Sequence, residues 1–538
     1  MIAKTIRLPE ALADSRCYPH LVSCVTVIET HISWVLLTGD YAYKIKKPVN
    51  LGFLDFTTLA SRRHYCEEEL RLNRRLAPEL YLEVVAIAGT PQRPLIGGPG
   101  PAIEYAVKMK EFPQSALLGN ALASGELDCN TVEKLARKIA EFHAELVPQD
   151  AAQSGDTRAS VLAPACDNFE QMMPLLHTQS DIDLMAAVRD WSVREYDTHM
   201  PQFEHRYAEG RVRECHGDLH AGNIALIDGA AIPFDCIEFN PALRWMDVMS
   251  EAAFLIMDLE AHGRRDLAFA FLNAYLETSG DYAGVRLLPF YFVYRSVVRA
   301  KINLIRAAQT TSTPAESRQA LTDYHRYITL ADAYVRGSRS AIIITHGFSG
   351  SGKTTLTRPL LGALGAVRVR SDIERKRHHG LNALAWTGAA VGESAYTDEN
   401  TARTYEQLLE HARVIASAGF PVIVDATFLR RAQRTPFQAL AAELAVPFAI
   451  VDVIASPAEL RARVTARAAR GDDASEATLP VLQAQLKYCD ALTDDELHFA
   501  TQARSGDEAA AQLFCENLAQ RLRQTDAVPP AVERPIRK

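Results

Sequence analysis

The run Gly347-Phe348-Ser349-Gly350-Ser351-Gly352-Lys353-Thr354 combines glycines, a lysine and a hydroxyl at the spacing of a phosphate-binding loop. Its glycines let backbone N–H groups close around the β- and γ-phosphates of a nucleoside triphosphate. Lys353 adds a point charge, and the Thr354 hydroxyl is a magnesium ligand. ATP, or another nucleoside triphosphate, and Mg2+ are therefore the expected ligands. Two acids follow at the ends of apolar runs. Pro421 to Asp425 reads as a buried strand whose carboxylate, Asp425, would reach magnesium through water, with a capping role as the plain alternative. Val367 to Asp372 reads as a further strand ending in an acid, with a helix from Ile373. Asp372 would then lie at the carboxyl edge of a sheet and could accept the proton of an attacking hydroxyl, or merely cap that helix. Arg463, Arg467 and Arg470 share one helix face, placed to fork over phosphoryl oxygens or simply to meet solvent.

A second constellation precedes these by more than a hundred residues. In Cys215-His216-Gly217-Asp218-Leu219-His220-Ala221-Gly222-Asn223, Asp218 stands five residues before Asn223, the spacing of a kinase catalytic loop. There the aspartate accepts a hydroxyl proton and the asparagine holds magnesium. Asp235 then closes an apolar strand twelve residues after Asn223, where a metal-chelating acid is expected. Each residue alone would more often be a turn residue or cap; together they have a reason to coexist.

The elements that must position these groups are legible in outline. Ala341–Ile344 reads as a buried parallel strand feeding the glycine loop, with a helix opening at Thr355-Leu356. Toward the front, Ser33–Thr38 and Tyr41–Ile45 alternate around Gly39-Asp40 as a hairpin, and a helix is expected from about Leu59 to Leu76. From about Leu122 the texture turns helical, as in Val132–Leu146, and a further helix spans Ser317–Val335 before the breaker stretch at 336–340. These readings divide the chain into a front domain (1–338), with a strand-rich lobe to about 113 and a helical lobe from about 114, and a P-loop domain (339–524). The tail from 525 to 538, rich in proline and charge, is expected to be disordered.

Composition bounds the function. The chain has 538 residues, 48% hydrophobic and 23% charged, with a formal net charge of -8. Residues 339–538 hold 24 Lys+Arg against 23 Asp+Glu, and residues 1–338 hold 34 against 43, so neither part has the basic balance for wrapping nucleic acid. Nine cysteines without a Cys-x-x-Cys pair suit reduced thiols. No signal peptide and no apolar run of about 18 residues is visible, so a cytoplasmic protein without membrane association is expected.

The rear motifs resemble those of the small P-loop kinases, the group of gluconate, shikimate and polynucleotide kinases and zeta-toxin-type enzymes; nothing resembles the assembly arm of a ring ATPase. In that group a lid follows the fourth strand, where the arginine helix lies. The His-Gly-Asp-x-x-x-x-Asn set with its strand-end aspartate resembles the aminoglycoside phosphotransferase and choline-kinase-like group. The resemblance implies an α+β protein-kinase-like front domain of aminoglycoside phosphotransferase type, then an α/β P-loop domain with a parallel sheet. It further implies a small-lobe lysine for the α/β-phosphates and a glutamate to orient it. Tyr41-Ala42-Tyr43-Lys44 matches the kinase strand pattern, with Lys44 favoured over Lys46, and of Glu67, Glu68 and Glu69 on the following helix, Glu69 is favoured as its partner. Asp247 is implied as the acid that ties down the catalytic loop, and the turn at Thr30-His31-Ile32-Ser33 as a cover for the phosphates. The implied activity is ATP-dependent transfer to a hydroxyl of a small-molecule acceptor. A nucleotide-sensing switch and a polynucleotide 5′-kinase are the alternatives.

Overall fold

The computed structural model describes residues 7–52, 54–150, 156–309, 313–337, 340–381, 398–470, 475, 477–504, 506 and 508–524. The tail expected to be disordered and part of the breaker stretch lie outside these residues. The chain forms two compact units, one of Met1–Thr131, Phe142–Asp156 and His205–Leu255, the other of Val132–Glu141, Thr157–Glu204 and Ile256–Lys538.

The first unit is built on a six-stranded antiparallel sheet from β1 (Thr26–Glu29), β2 (Ser33–Leu37), β3 (Tyr41–Lys46), β4 (Tyr81–Thr90), β5 (Arg93–Ile96) and β6 (Ala102–Lys110), in the order β1-β2-β3-β6-β4-β5. The hairpin around Gly39-Asp40 forms as expected, and Thr30–Ser33 is the turn between β1 and β2. Alternation along β3 decides what each face carries. Tyr43 and Ile45 enter an apolar cluster with Leu12, Leu36 and Ile87, which leaves Lys44 and Lys46 on the opposite face. That face meets the helix Leu59–Asn73, whose start is capped by the Thr58 hydroxyl accepting from the Ser61 N–H at 3.0 Å. This helix buries Arg62, Glu69 and Asn73 as well as Cys66 and Leu72. A polar face inside is tolerable only because each group is met: Arg62 by Glu104, Glu69 by two lysines, and Asn73 by the Cys236 N–H. Two short antiparallel ribbons follow, β7 (Val212–Glu214) with β10 (Trp245–Asp247), and β8 (Ile224–Ile227) with β9 (Ala230–Pro233).

The second unit holds a five-stranded parallel sheet from β11 (Ile342–His346), β12 (Val367–Arg370), β13 (Val422–Asp425), β14 (Phe448–Ile454) and β15 (Ala500–Arg504), in the order β12-β13-β11-β14-β15. Its central strands are continuous apolar runs because both faces are covered. The helix after the glycine loop begins at Lys353, two residues earlier than expected. The break near residue 338 falls inside this unit: helices Arg265–Ser279, Leu288–Ala308 and Pro314–Val335 belong to the same compact body as the parallel sheet.

One side chain shows why. β12 is an edge strand and would expose unpaired backbone groups. Asn273, on the helix Arg265–Ser279, accepts from the Arg368 N–H at 2.6 Å and donates to the Ala366 carbonyl at 3.0 Å. Phe269 and Phe292 pack against Phe420 nearby. Among the described residues, no helix is long and apolar enough to cross a membrane.

Replacing Asn273 by Ala strips both bonds from buried backbone groups. We expect Asn273→Ala to cost about 1–3 kcal/mol and to lower the thermal unfolding midpoint of the full chain. An unshifted midpoint would show that the edge of β12 does not depend on this clamp.

Candidate active sites

The first site lies where the loop after β7 faces the end of β9. Gly217 has φ +92, and an added Cβ would stand 3.1 Å from the Leu243 carbonyl oxygen, so only glycine fits the turn before Asp218. His216 is fully buried, donates from Nε2 to the Phe234 carbonyl at 2.9 Å, and accepts on Nδ1 from the Asp218 N–H at 3.3 Å. Burial lowers its pKa against the pull of Glu251 and Asp218, in keeping with a neutral ring that serves as a spacer. Asn223 Nδ2 donates to Asp218 Oδ2 at 2.8 Å and to the Asp218 carbonyl at 3.1 Å. The β8–β9 hairpin turns the chain back, the Phe234 N–H bonding the Asn223 carbonyl, so Asn223 and Asp235 emerge at one end.

Asp235 has φ +64, a left-handed conformation rare for a residue other than glycine, and such strain gathers at functional sites. Its carboxylate takes a hydrogen bond from Lys44 at 2.5 Å. Lys44 also donates to Glu69 Oε1 at 2.8 Å, and Lys46 donates to Glu69 Oε2 at 2.7 Å and to Glu238. Burial alone would discharge Lys44, but Asp235, Glu69 and Glu238 outweigh it and hold its pKa above that of a free lysine. Glu69 is likewise desolvated, yet the two ammonium groups keep it below the usual carboxylate range. Both lysines thus bridge Glu69 to the loop after β9, Lys44 through the partly exposed Asp235 and Lys46 through the buried Glu238.

Three partners in this site escaped the sequence reading. Glu238 is buried three residues beyond Asp235, and only its sequence proximity to Asp235 hinted at it. Glu251 accepts from the Gly217 N–H at 2.7 Å and from His143 Nε2 at 2.8 Å. The signals were a lone acid in the apolar run after Asp247 and a histidine on the inner face of the helix Cys129–Glu145. Glu251 therefore holds the Gly217 turn directly, and Asp247, expected to tie that loop down, accepts from Arg206 at 2.6 Å and from the Met249 N–H at 2.8 Å.

The second site is a cleft of about 470 Å³ in the parallel-sheet unit. Gly347 has φ +141, and a Cβ there would stand 2.5 Å from the Val453 carbonyl oxygen, so the loop can be drawn tight only without side chains. Lys353 donates to the Gly347 and Phe348 carbonyls, each at 2.9 Å, and burial lowers its pKa to about 8 against the pull of Asp425 and Asp372. Thr354 Oγ1 donates to Asp425 Oδ2 at 2.6 Å, which joins the two expected magnesium-site residues. Ser351 Oγ is buried and has no hydrogen-bond partner among the described residues, an open valence that suits a phosphate oxygen. The glycines, Lys353, Thr354 and Asp425 thus fit a magnesium nucleotide.

Asp372 lines the same cleft, but not as the last residue of a strand: β12 ends at Arg370 and the next helix, Ser371–His378, starts one residue before Asp372. The capping alternative fails with it, since Asp372 lies inside the first turn and pairs with Arg375 at 2.7 Å. Burial would raise its pKa, but Arg375, the Ser475 hydrogen bond, Arg370 and Arg467 hold it down. Arg463 donates to the Ser351 carbonyl at 3.1 Å and Arg467 to the Ala477 carbonyl at 3.3 Å, both from the helix Pro457–Arg470 and both lining the cleft. The Arg470 side chain lies outside the described residues. Gln485, on the helix Leu479–Lys487, was missed: it accepts from the Ser349 N–H and donates to Ser349 Oγ, both at 3.0 Å.

The chain thus combines an α+β region on a six-stranded antiparallel sheet, which carries the Asp218 loop, with an α/β region on a five-stranded parallel sheet, which carries the glycine loop. Residues 342–492 match the AAA domain family AAA_33. The chain belongs to the family of the Mycobacterium tuberculosis protein Rv2004c and the Mycobacterium bovis protein Mb2027c, being 30% identical to each over 484 residues, 88% of this chain and 93% of each relative. Among solved structures, a gluconokinase from Sinorhizobium meliloti 1021 is similar at 20% identity, covering 35% of this chain and 97% of that one (TM-score 0.25). The aminoglycoside phosphotransferase APH(2'')-Ib is similar at 14% identity, covering 58% and 95% (TM-score 0.33).

Glu251 yields a pH test of the first site. Its folded pKa is depressed from 4.5 to about 2, so its contribution to stability is full above pH 4.5 and fades as pH falls toward 2. Glu251→Gln should lower the urea midpoint at neutral pH, and the gap to the parent should close on acidification through that window. A gap independent of pH would contradict an ionised Glu251 holding Gly217.

Proposed function

We propose that this protein is a magnesium- and ATP-dependent phosphotransferase with two nucleotide sites, each passing the γ-phosphoryl group to a hydroxyl of a small-molecule acceptor. The observation that carries this reading is the placement of an ionised carboxylate, Asp372, in one cleft with Lys353, Thr354 and Asp425. A site that only held nucleotide would need no such group.

In the P-loop site, Lys353 and the loop glycines bind the triphosphate, Thr354 and Asp425 hold magnesium, and Arg463 and Arg467 meet the charge of the transferring group. Asp372 orients the acceptor hydroxyl and takes its proton. In the first site Lys44, oriented by Glu69, binds phosphate oxygens, Asn223 and Asp235 hold magnesium, and Asp218 orients and deprotonates the acceptor. Magnesium, when bound, draws charge from the phosphate oxygens and fixes their geometry. The near-neutral balance of residues 339–538 supports a small acceptor over a polynucleotide.

The test uses the full chain, with labelled ATP and a set of hydroxyl-bearing metabolites. Asp372→Asn should keep Lys353-dependent nucleotide binding while transfer at that site falls about 10²–10⁴-fold. Asp218→Asn should do the same at the first site and leave Lys353-dependent binding intact. Tight binding with slow, acceptor-independent ADP release in the parent would instead mark a nucleotide-sensing switch. Turnover unchanged in both variants would refute the assigned bases.

A further inference from the structure

Arg370 presents an electrostatic difficulty in the P-loop site. It is the last residue of β12, and the parallel register sets it directly beside Asp425 on β13. Its Nε stands 3.9 Å from Asp425 Oδ2, the same oxygen that accepts from Thr354. A guanidinium so placed competes with a divalent cation for that carboxylate, since a fork onto both oxygens is its preferred geometry.

A second carboxylate stands against that outcome. Glu277 Oε2 lies 3.7 Å from Arg370 Nη1, while its Oε1 accepts from Arg368 at 2.9 Å. Glu277 sits in the last turn of the helix Arg265–Ser279, outside residues 342–492 that match the P-loop family. An acid at a helix C-terminus faces the negative end of the helix dipole, so its position there is unfavourable without compensation. Arg368 and Arg370 provide the compensation, and the Glu277 carbonyl also accepts from Arg377 Nη2 at 2.8 Å. Although burial would raise its pKa, those two arginines keep Glu277 ionised.

We propose that Glu277 is a positioning residue of the P-loop site: it holds the Arg370 guanidinium off Asp425, keeping that carboxylate available to a divalent cation. The inference rests on the reading of Gly347–Thr354 as a magnesium-nucleotide site and adds to it a residue from outside the P-loop segment. Arg370 stands nearly equidistant from Glu277 and Asp425 and also faces the charge of Asp372. Neutralising Glu277 therefore tips it toward Asp425 and raises the magnesium concentration that nucleotide binding requires.

The experiment follows binding of a fluorescent ATP analogue to the full chain across a magnesium titration, taking the component lost in Lys353→Ala. Glu277→Gln should raise the half-saturating magnesium concentration of that component by about 10–100-fold, the usual effect of disturbing a residue that orients a metal ligand. Glu277→Gln combined with Arg370→Gln should restore the parent value, although it lacks the same charge opposite Arg368. A merely structural role for Glu277 would not be rescued in this way. Arg370→Gln alone leaves the Glu277–Arg368 pair in place and should not weaken the response to magnesium. An unchanged response in Glu277→Gln, a double variant as impaired as the single, or equal loss in Arg370→Gln alone would each overturn the inference. If the parent has no Lys353-dependent, magnesium-dependent binding, the nucleotide reading itself fails, a result separable from all of these.

Discussion

Glu69 carries a charge with no exposure to water, and the architecture of the first site follows from how that charge is met. An isolated buried carboxylate would be neutral or would not be buried at all. Here one oxygen takes Lys44 and the other takes Lys46. Those lysines must lie on one face of β3, which sends Tyr43 and Ile45 to the other face and fixes the register of the hairpin. Lys44 and Lys46 in turn reach Asp235 and Glu238, so the loop after β9 is tied to the same carboxylate. Breaking one partner would leave buried charge uncompensated, a costly outcome that makes the cluster cooperative.

The P-loop site meets the same constraint with different residues. Asp425 accepts from Thr354, Asp372 pairs with Arg375 on its own helix, and Lys353 rests on carbonyls of its own loop. The loop is held from two directions, by Gln485 on Ser349 and by Arg463 on the Ser351 carbonyl. The sheet that carries the loop also depends on helices that precede it in the chain. Asn273 pairs the edge of β12, and Glu277 meets Arg368 and Arg370 on the same strand. An edge strand whose backbone and charged side chains are satisfied by residues 273 and 277 cannot be cut away at residue 338 without exposing both.

What the sequence made legible follows the range of each signal. The glycine loop, the Asp218–Asn223 spacing and Asp235 rest on local spacing and strand ends, which the backbone converts directly into geometry, while the pairing of Lys44 with Glu69 was implied by the family resemblance. Asp372 was placed in the right cleft, but its element was misread by two residues because a carboxylate after a strand and one inside a first helical turn look alike in sequence. Glu238, Glu251, Gln485, Asn273 and Glu277 were not found. Each is an ordinary polar residue on a helix or loop, and only its partner, from 34 residues away for Glu251 and Gly217 to 192 for Glu238 and Lys46, gives it a role. The compact-unit boundary was hidden for the same reason: breaker residues mark where an element ends, not which elements share a core.

The central claim is that one chain holds two magnesium-dependent nucleotide sites built from separate residues. Calorimetric titration of the full chain with a non-hydrolysable ATP analogue, at saturating magnesium, tests it most directly. The account requires two equivalents bound per chain in the parent, one in Lys353→Ala, one in Lys44→Ala and none in the double variant. A single equivalent in the parent, or two equivalents that survive either substitution, would contradict it.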